Sequence, residues 1–254
     1  MTRYRSAARM EWIKLRSVRS SWWLLISIVV SMAAVGVGVG AGYRSHTPVA
    51  TPAQIVNNAL AGAVLAQLLI GALGILTVTS EYTSGMIRAT LAAQPHRGVV
   101  LVAKTAVLGL AAFGVGELSS LAAYLGGQAA ITGSPVPPAS LGDPAVLRAV
   151  LLTGAYLGLV GLLGVGVGTL IRHTGGAIGA LFGVLVVPMF LALLFGSVGV
   201  AVLRYVPMFI LVNSIAVVTP VPGTLHAWAG IGVQCLYAAA ALGAGSWVLL
   251  RRDA

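Results

Sequence analysis

The sequence predicts an all-α, polytopic membrane protein, and three observations carry that prediction. First, 58% of its 254 residues are hydrophobic and only 8% are charged, whereas a soluble domain carries about 25% charged residues. So few charges cannot cover a water-facing surface, and the mean hydropathy of +0.99 says the same. Second, the apolar residues gather into six runs, each long enough to cross a hydrocarbon core, which takes about 20 residues in a helix. Third, most of the basic residues fall outside those runs, and they lie mostly on one side of the implied membrane.

The chain opens on residues 1–21, where Tyr4, Ala8, Trp12, Leu15, Val18 and Trp22 recur at spacings of three and four. Arg3, Arg5, Arg9, Lys14, Arg16 and Arg19 fill much of the rest. The pattern predicts a basic amphipathic helix lying in the membrane interface, anchored by Trp12, Lys14, Arg16, Trp22 and Trp23; a disordered basic tail is the alternative. The following run, 22–42, is long enough to span and is not trailed by a small-residue cleavage signal. It reads as a retained first helix and not a leader. The other spans are placed at about 57–79, 99–131, 146–171, 175–199 and 226–250. His173 and Thr174 make the turn between the fourth and fifth a tight one. Trp228 and Trp247 stand 19 residues apart in the last span, or about 28 Å along a helix, which matches two interfacial aromatic belts. Pro135, Pro137, Pro138 and Pro144 mark one outer loop. A second, 200–225, stays apolar through Met208, Phe209, Ile210, Leu211 and Val212, so it is expected to hold a re-entrant or outer-leaflet helix.

With six spans both termini share a side. That side carries Arg3, Arg5, Arg9, Lys14, Arg16, Arg19, Arg88, Arg97, Lys104, Arg172, Arg251 and Arg252, and the other only Arg44, Arg148 and Arg204, a split of 12 to 3. The excess of basic residues on one side places both termini in the cytoplasm. The formal net charge of +10 therefore reads as orientation and attraction to anionic lipid, not as nucleic-acid binding.

The loop between the second and third spans, S-E-Y-T-S-G-M-I-R-A-T-L-A-A-Q-P-H-R over 80–97, is the most informative segment. Ser80 or Glu81 can cap a helix, Met86, Ile87, Thr90 and Leu91 form a mildly apolar stripe, and Pro95 ends it. A cytoplasmic helix of about 81–93 follows, either docking a partner or packing on its own chain.

At this point the chain resembles the membrane (permease) subunits of bacterial type 2 ATP-binding-cassette (ABC) transporters. The resemblance rests on E-W-I-K-L-R-S-V-R-S-S-W-W at 11–23, the six spans, the E-Y-x-x-G block at Glu81, Tyr82 and Gly85 followed by Pro95 and Arg97, and the R-R-D ending. It implies that 81–93 is a coupling helix seated in a cleft of an ATPase subunit. The coupling residues it implies are Glu81, Tyr82, Gly85, Arg88, Pro95 and Arg97. No G-x-x-x-x-G-K-[ST] loop occurs, and Lys14 and Lys104 are the sole lysines, so ATP and its Mg belong on a separate ATPase subunit and this chain is not itself expected to be an enzyme or to hold a cofactor. The resemblance further implies a second permease subunit, the same or similar, a bacterial cytoplasmic-membrane location, and export of an amphipathic, drug-like or lipid-like substrate. A non-transport anchor or sensor of an ATPase-linked complex is the alternative. A secondary transporter is disfavoured by the lack of a clear inverted repeat.

Glu117 lies near the middle of the third span, where a bare carboxylate costs about 2.5–3.5 kcal/mol on insertion scales. It reads either as a binding group for a cationic or hydroxylated substrate, or a proton-linked switch, or as a structural hydrogen bond to Thr153 or Tyr156. Lys104 is too distant to pair with it and is expected to snorkel to the interface. Gly36 with Gly40, Gly164 with Gly168 and Gly179 with Gly183 permit close helix approach, expected mainly within one subunit. His46, His96, His173 and His226 lack metal-ligand spacing, and Ser197 with His226 sits in the wrong context for a nucleophile. Cys235, the single cysteine, is expected to be a small buried hydrophobe.

Overall fold

The computed structural model describes residues 2–45, 50–93, 96–194, 201–217 and 225–251, and among these every regular element is a helix. In chain order they are α1 (Thr2–Ser17), α2 (Arg19–Ser45), α3 (Pro52–Leu60), α4 (Ala63–Thr83), α5 (Met86–Ala93) and α6 (Arg97–Ala130). Then come α7 (Pro144–Ile171), α8 (Thr174–Leu185), α9 (Val187–Leu194), α10 (Pro207–Ile215) and α11 (Ala227–Arg251). Five stretches are long and apolar enough to cross a membrane: Arg19–Arg44, Pro52–Thr83, Gly98–Ala130, Pro144–Ile171 and Ala227–Arg251. The chain is a multi-pass helical membrane protein.

The expected fifth span, 175–199, is not one helix. It is α8, a bend at Val186 (φ −114°, ψ −44°), and α9; 195–199 lie outside the described residues. Pro188 sits in the first turn of α9, and its missing N–H and its ring prevent the helix from running through that point. The two pieces hold 12 and 8 residues, together about 30 Å of helix.

Helix α7 is the axis. Its most apolar window is 83% buried, against 22% in α2 and 28% in α11, because its glycines let three neighbours reach its backbone. A Cβ on Gly164 would lie 2.3 Å from the Gly71 carbonyl of α4, and one on Gly166 would lie 2.5 Å from the Ala241 backbone of α11. Gly36 and Gly40 press α2 onto Ala123 and Gly127 of α6 in the same way. A Cβ on Gly179 or Gly183, by contrast, would meet nothing within 4 Å among the described residues. The contact order gives directions: α2 runs parallel to α6, while α4, α7 and α11 run together the opposite way. Since α7 and α11 are parallel, the chain from Arg172 to Ala227 must travel back along the bundle, and α8, α9 and α10 lie on that return.

Helix α1 and the last turns of α11 meet at one end of the bundle, where Leu15 of α1, Leu24 of α2 and Leu249 of α11 share an apolar cluster. Arg172, in the left-handed conformation that ends α7 (φ 60°), donates to the Val248 carbonyl at 3.2 Å. His173 then caps α8 by accepting from the Gly176 N–H at 3.1 Å. At the far end α10 is held by Arg148 donating to the Ala216 carbonyl and by Val217 donating to Asn57, both at 2.7 Å. Residues 218–224 of the expected outer segment lie outside the described residues. Cys235 is exposed on the outer face of α11, not buried as its apolar surroundings in sequence suggest.

Candidate functional site

The site begins with a helix that outlasts its apolar run. Thr79, Ser80, Thr83 and Ser84 look like loop residues, yet each hydroxyl bonds the carbonyl four residues back, at 3.1, 2.6, 3.0 and 2.7 Å. Such back-bonding satisfies polar side chains within a helix. Helix α4 therefore continues to Thr83 and carries Glu81 and Tyr82 in its last turn. This corrects the expected helix of 81–93: Glu81 caps nothing, and the short helix α5 starts at Met86. The corner between them is Gly85 at φ +71°, a conformation that L side chains adopt only at a cost of about 1–2 kcal/mol. A Cβ there would meet nothing within 4 Å, so Gly85 serves the backbone turn and not a close contact.

Glu81 points into the bundle and is 4% exposed. Its Oε1 accepts from Lys14 at 2.9 Å and from Lys104 at 2.7 Å. Glu11 closes the circuit, accepting from Lys14 at 3.0 Å and from Lys104 at 2.6 Å. The four charges alternate round a ring and sum to zero. Lys14 spends its third donor on the Thr90 hydroxyl of α5 at 3.1 Å, and Lys104 spends its third on the Thr77 carbonyl at 3.0 Å. An ammonium has three donors, so both lysines are saturated. The ring thereby ties α1, α4, α5 and α6 together. Lys104, 6% exposed, does not snorkel to the interface as expected; two carboxylates and a carbonyl hold it inside. Glu81 Oε2 is buried without a partner among the described residues.

Burial works against the charge of Lys14, but its hydrogen bond to Glu81 and the charge of Glu11 outweigh it and hold its pKa above the ordinary lysine value. For a raised lysine the sign is fixed. The stabilisation is complete below the ordinary pKa of 10.5 and disappears only as pH rises through the higher folded value. Hydrogen-exchange protection of α1 is accordingly expected to stay constant from neutral pH to that point and to fall beyond it; loss of protection already near neutrality would contradict the ring.

Other expected site residues fall around this core. Tyr82 lies under the Arg172 guanidinium, 5.2 Å from its ring centre, which links the end of α4 to the α7 terminus. Trp22 donates to the Arg16 carbonyl at 2.9 Å and stiffens the bend between α1 and α2. Trp12, Trp22 and Trp23 are exposed on the outside of the chain. The side chains of Arg88 and Arg97, and Pro95 itself, lie outside the described residues. Helix α5 leans on the bundle through buried Thr90, while Met86, Ala89 and Ala92 are exposed. A cavity of about 180 Å³ lies beside the ring, between Ser20 and Ser21 of α2 and Leu76, Val107 and Leu108. Glu117 stands apart from all of this, half-buried on α6. The hydrogen bond offered to it from sequence does not form: Tyr156 donates to Gln67 at 2.8 Å and Thr153 to the Ala149 carbonyl at 2.7 Å.

Sequence reasoning missed Glu11, Thr90 and the pairing of Lys104. A signal was available, since the chain has only five acidic residues and an acid inside a basic helix stands out. Among the described residues no group of His, Cys, Asp and Glu is placed to hold a metal ion.

Fold and site together define a class: a multi-pass α-helical membrane protein with a buried charge ring at the end where its first and last helices meet. Compared with known proteins, the chain matches no family model and no curated protein.

Proposed function

We propose that the chain is the permease subunit of a type 2 ABC exporter in a bacterial cytoplasmic membrane, moving an amphipathic substrate with energy from a separate ATPase subunit. The observation that carries this reading is the position of α5. The ring fixes it through Thr90 and Lys14 to both α1 and the long helices, while Met86, Ala89 and Ala92 face outward. A push on that face reaches α4 and α6 through charge contacts that have little slack. The sequence-based split of the basic residues, 12 of 15 expected on the side that holds the loop of α5, supports a cytoplasmic α5. Taken with the five spanning helices, the return through α8 and α9 supports a reading of six passes, half a pathway that a second permease subunit would complete.

Capture of the chain from native membranes in mild detergent is expected to recover an ATPase subunit carrying a phosphate-binding loop. Ala89→Arg should reduce that recovery about tenfold or more, since a charge at the centre of a small docking face is left unpaired on binding. The variant's yield and helicity should not change. Recovery of the chain alone, or ATPase capture indifferent to Ala89→Arg, counts against the reading. ATPase capture with no substrate flux favours a membrane anchor instead.

A further inference from the structure

Glu117 is a carboxylate well inside a membrane-spanning helix, and no group among the described residues pairs with it. It lies 13 residues beyond Lys104 on α6, about 20 Å along the helix, within a hydrocarbon core about 30 Å thick. Its seat is made by a glycine: the carboxyl carbon lies 2.5 Å from the position a Cβ on Gly154 of α7 would take. The described polar side chains closest to it in sequence on α6, and those offered to it on α7, bond elsewhere. Ser119 bonds the Val115 carbonyl at 2.6 Å and Ser120 the backbone carbonyl of Glu117 at 3.0 Å. Thr153 and Tyr156 are spent as described, and Arg148, the basic residue of α7 on this side, is turned to Ala216. Exposed leucines stand near it along the helices: Leu118 follows Glu117 directly (55% exposed), Leu110 precedes it by seven residues (79%), and Leu151 precedes Gly154 by three (46%). An acid is thus presented at the outer face of the chain between apolar lips, reachable from the lipid.

We propose that Glu117, seated on Gly154, is the recognition site for a cationic amphiphile that enters from the membrane. The head is an ammonium that donates to the carboxylate, and the body lies along Leu110, Leu118 and Leu151. The chemistry follows from what is missing. A carboxylate in hydrocarbon needs a counter-charge with donors; an alcohol brings a donor without charge, and an anionic amphiphile repels it. The site names a substrate class for the proposed exporter and rests on that reading only for the idea that the bound molecule is cargo.

The test uses the full chain in nanodiscs of neutral lipid, with radiolabelled dodecylammonium as probe and dodecanol and dodecyl sulfate as competitors. One saturable site per chain is expected, resistant to both competitors. Glu117→Gln, which keeps shape and removes charge, should weaken binding about tenfold or more, and Glu117→Asp should restore part of it. Binding unchanged in Glu117→Gln overturns the proposal, because the acid is then neutral or structural. Equal competition by dodecanol overturns it too, even if Glu117→Gln fails to assemble. A chain that binds the probe but captures no ATPase overturns the exporter reading and leaves the site standing; the reverse result overturns the site alone.

Discussion

Lys104→Met is expected to lower stability by about 3–5 kcal/mol, the usual effect of removing one partner from a buried charge cluster. Its ammonium touches Glu11, Glu81 and the α4 backbone at once. Without it two buried carboxylates face each other with Lys14 alone between them. The sharper result is in the double variant. Lys104→Met with Glu11→Gln leaves a single Lys14–Glu81 pair, charge-balanced, and should be more stable than Lys104→Met alone. Thermal unfolding in detergent, scored on all four chains of the double-mutant cycle, reads this directly. A double variant whose loss is the sum of the singles would mean that the four groups do not act as a ring. On the proposed exporter reading, the double variant should also separate ATP hydrolysis from transport in reconstituted vesicles, because Lys104 no longer ties α6 to α1.

Gly36→Leu is expected to part α2 from α6. A Cβ at Gly36 would lie 2.1 Å from the Ala123 carbonyl oxygen, and the obstacle is backbone, which cannot swing aside. Overpacking a well-filled contact costs about 1–3 kcal/mol when side chains can adjust. Here the helices themselves must move, so the loss should lie at or above the top of that range. Gly179→Leu is the control: it opens onto nothing within 4 Å and should leave the monomer's stability within about 0.5 kcal/mol. Comparable losses from both would contradict the α2–α6 seam.

The helical, multi-pass character is legible in composition and run length because the bilayer imposes both. The seams are legible only in part. Gly36 with Gly40 and Gly164 with Gly168 look no different in sequence from Gly179 with Gly183, yet the first two pairs are packed and the third is open. What separates them is the neighbouring helix, not the motif. Pro188 was a visible break inside the expected fifth span, and hydropathy averaged over it. The site was harder to read for two physical reasons. Thr79, Ser80, Thr83 and Ser84 carry the polarity of a loop, but their back-bonds keep α4 helical and swing Glu81 inward. Lys104 obeys the usual rule for a lysine near a helix end until two acids, one 93 residues away and one 23, supply a better partner than water. Long-range charge pairing of that kind leaves no periodicity to detect. Glu117 was conspicuous from sequence, and the structure narrowed it by showing that its offered partners are engaged elsewhere.

The central claim is that α5 is the surface through which a separate ATPase drives this membrane domain. A photo-reactive amino acid placed at Ala89, with the same residue at Leu110 as the lipid-facing control, tests it most directly in intact membranes. The account predicts an adduct at position 89 with a subunit that carries a phosphate-binding loop, and none at 110. Adducts at 89 with lipid alone, or with a second copy of this chain alone, would contradict it.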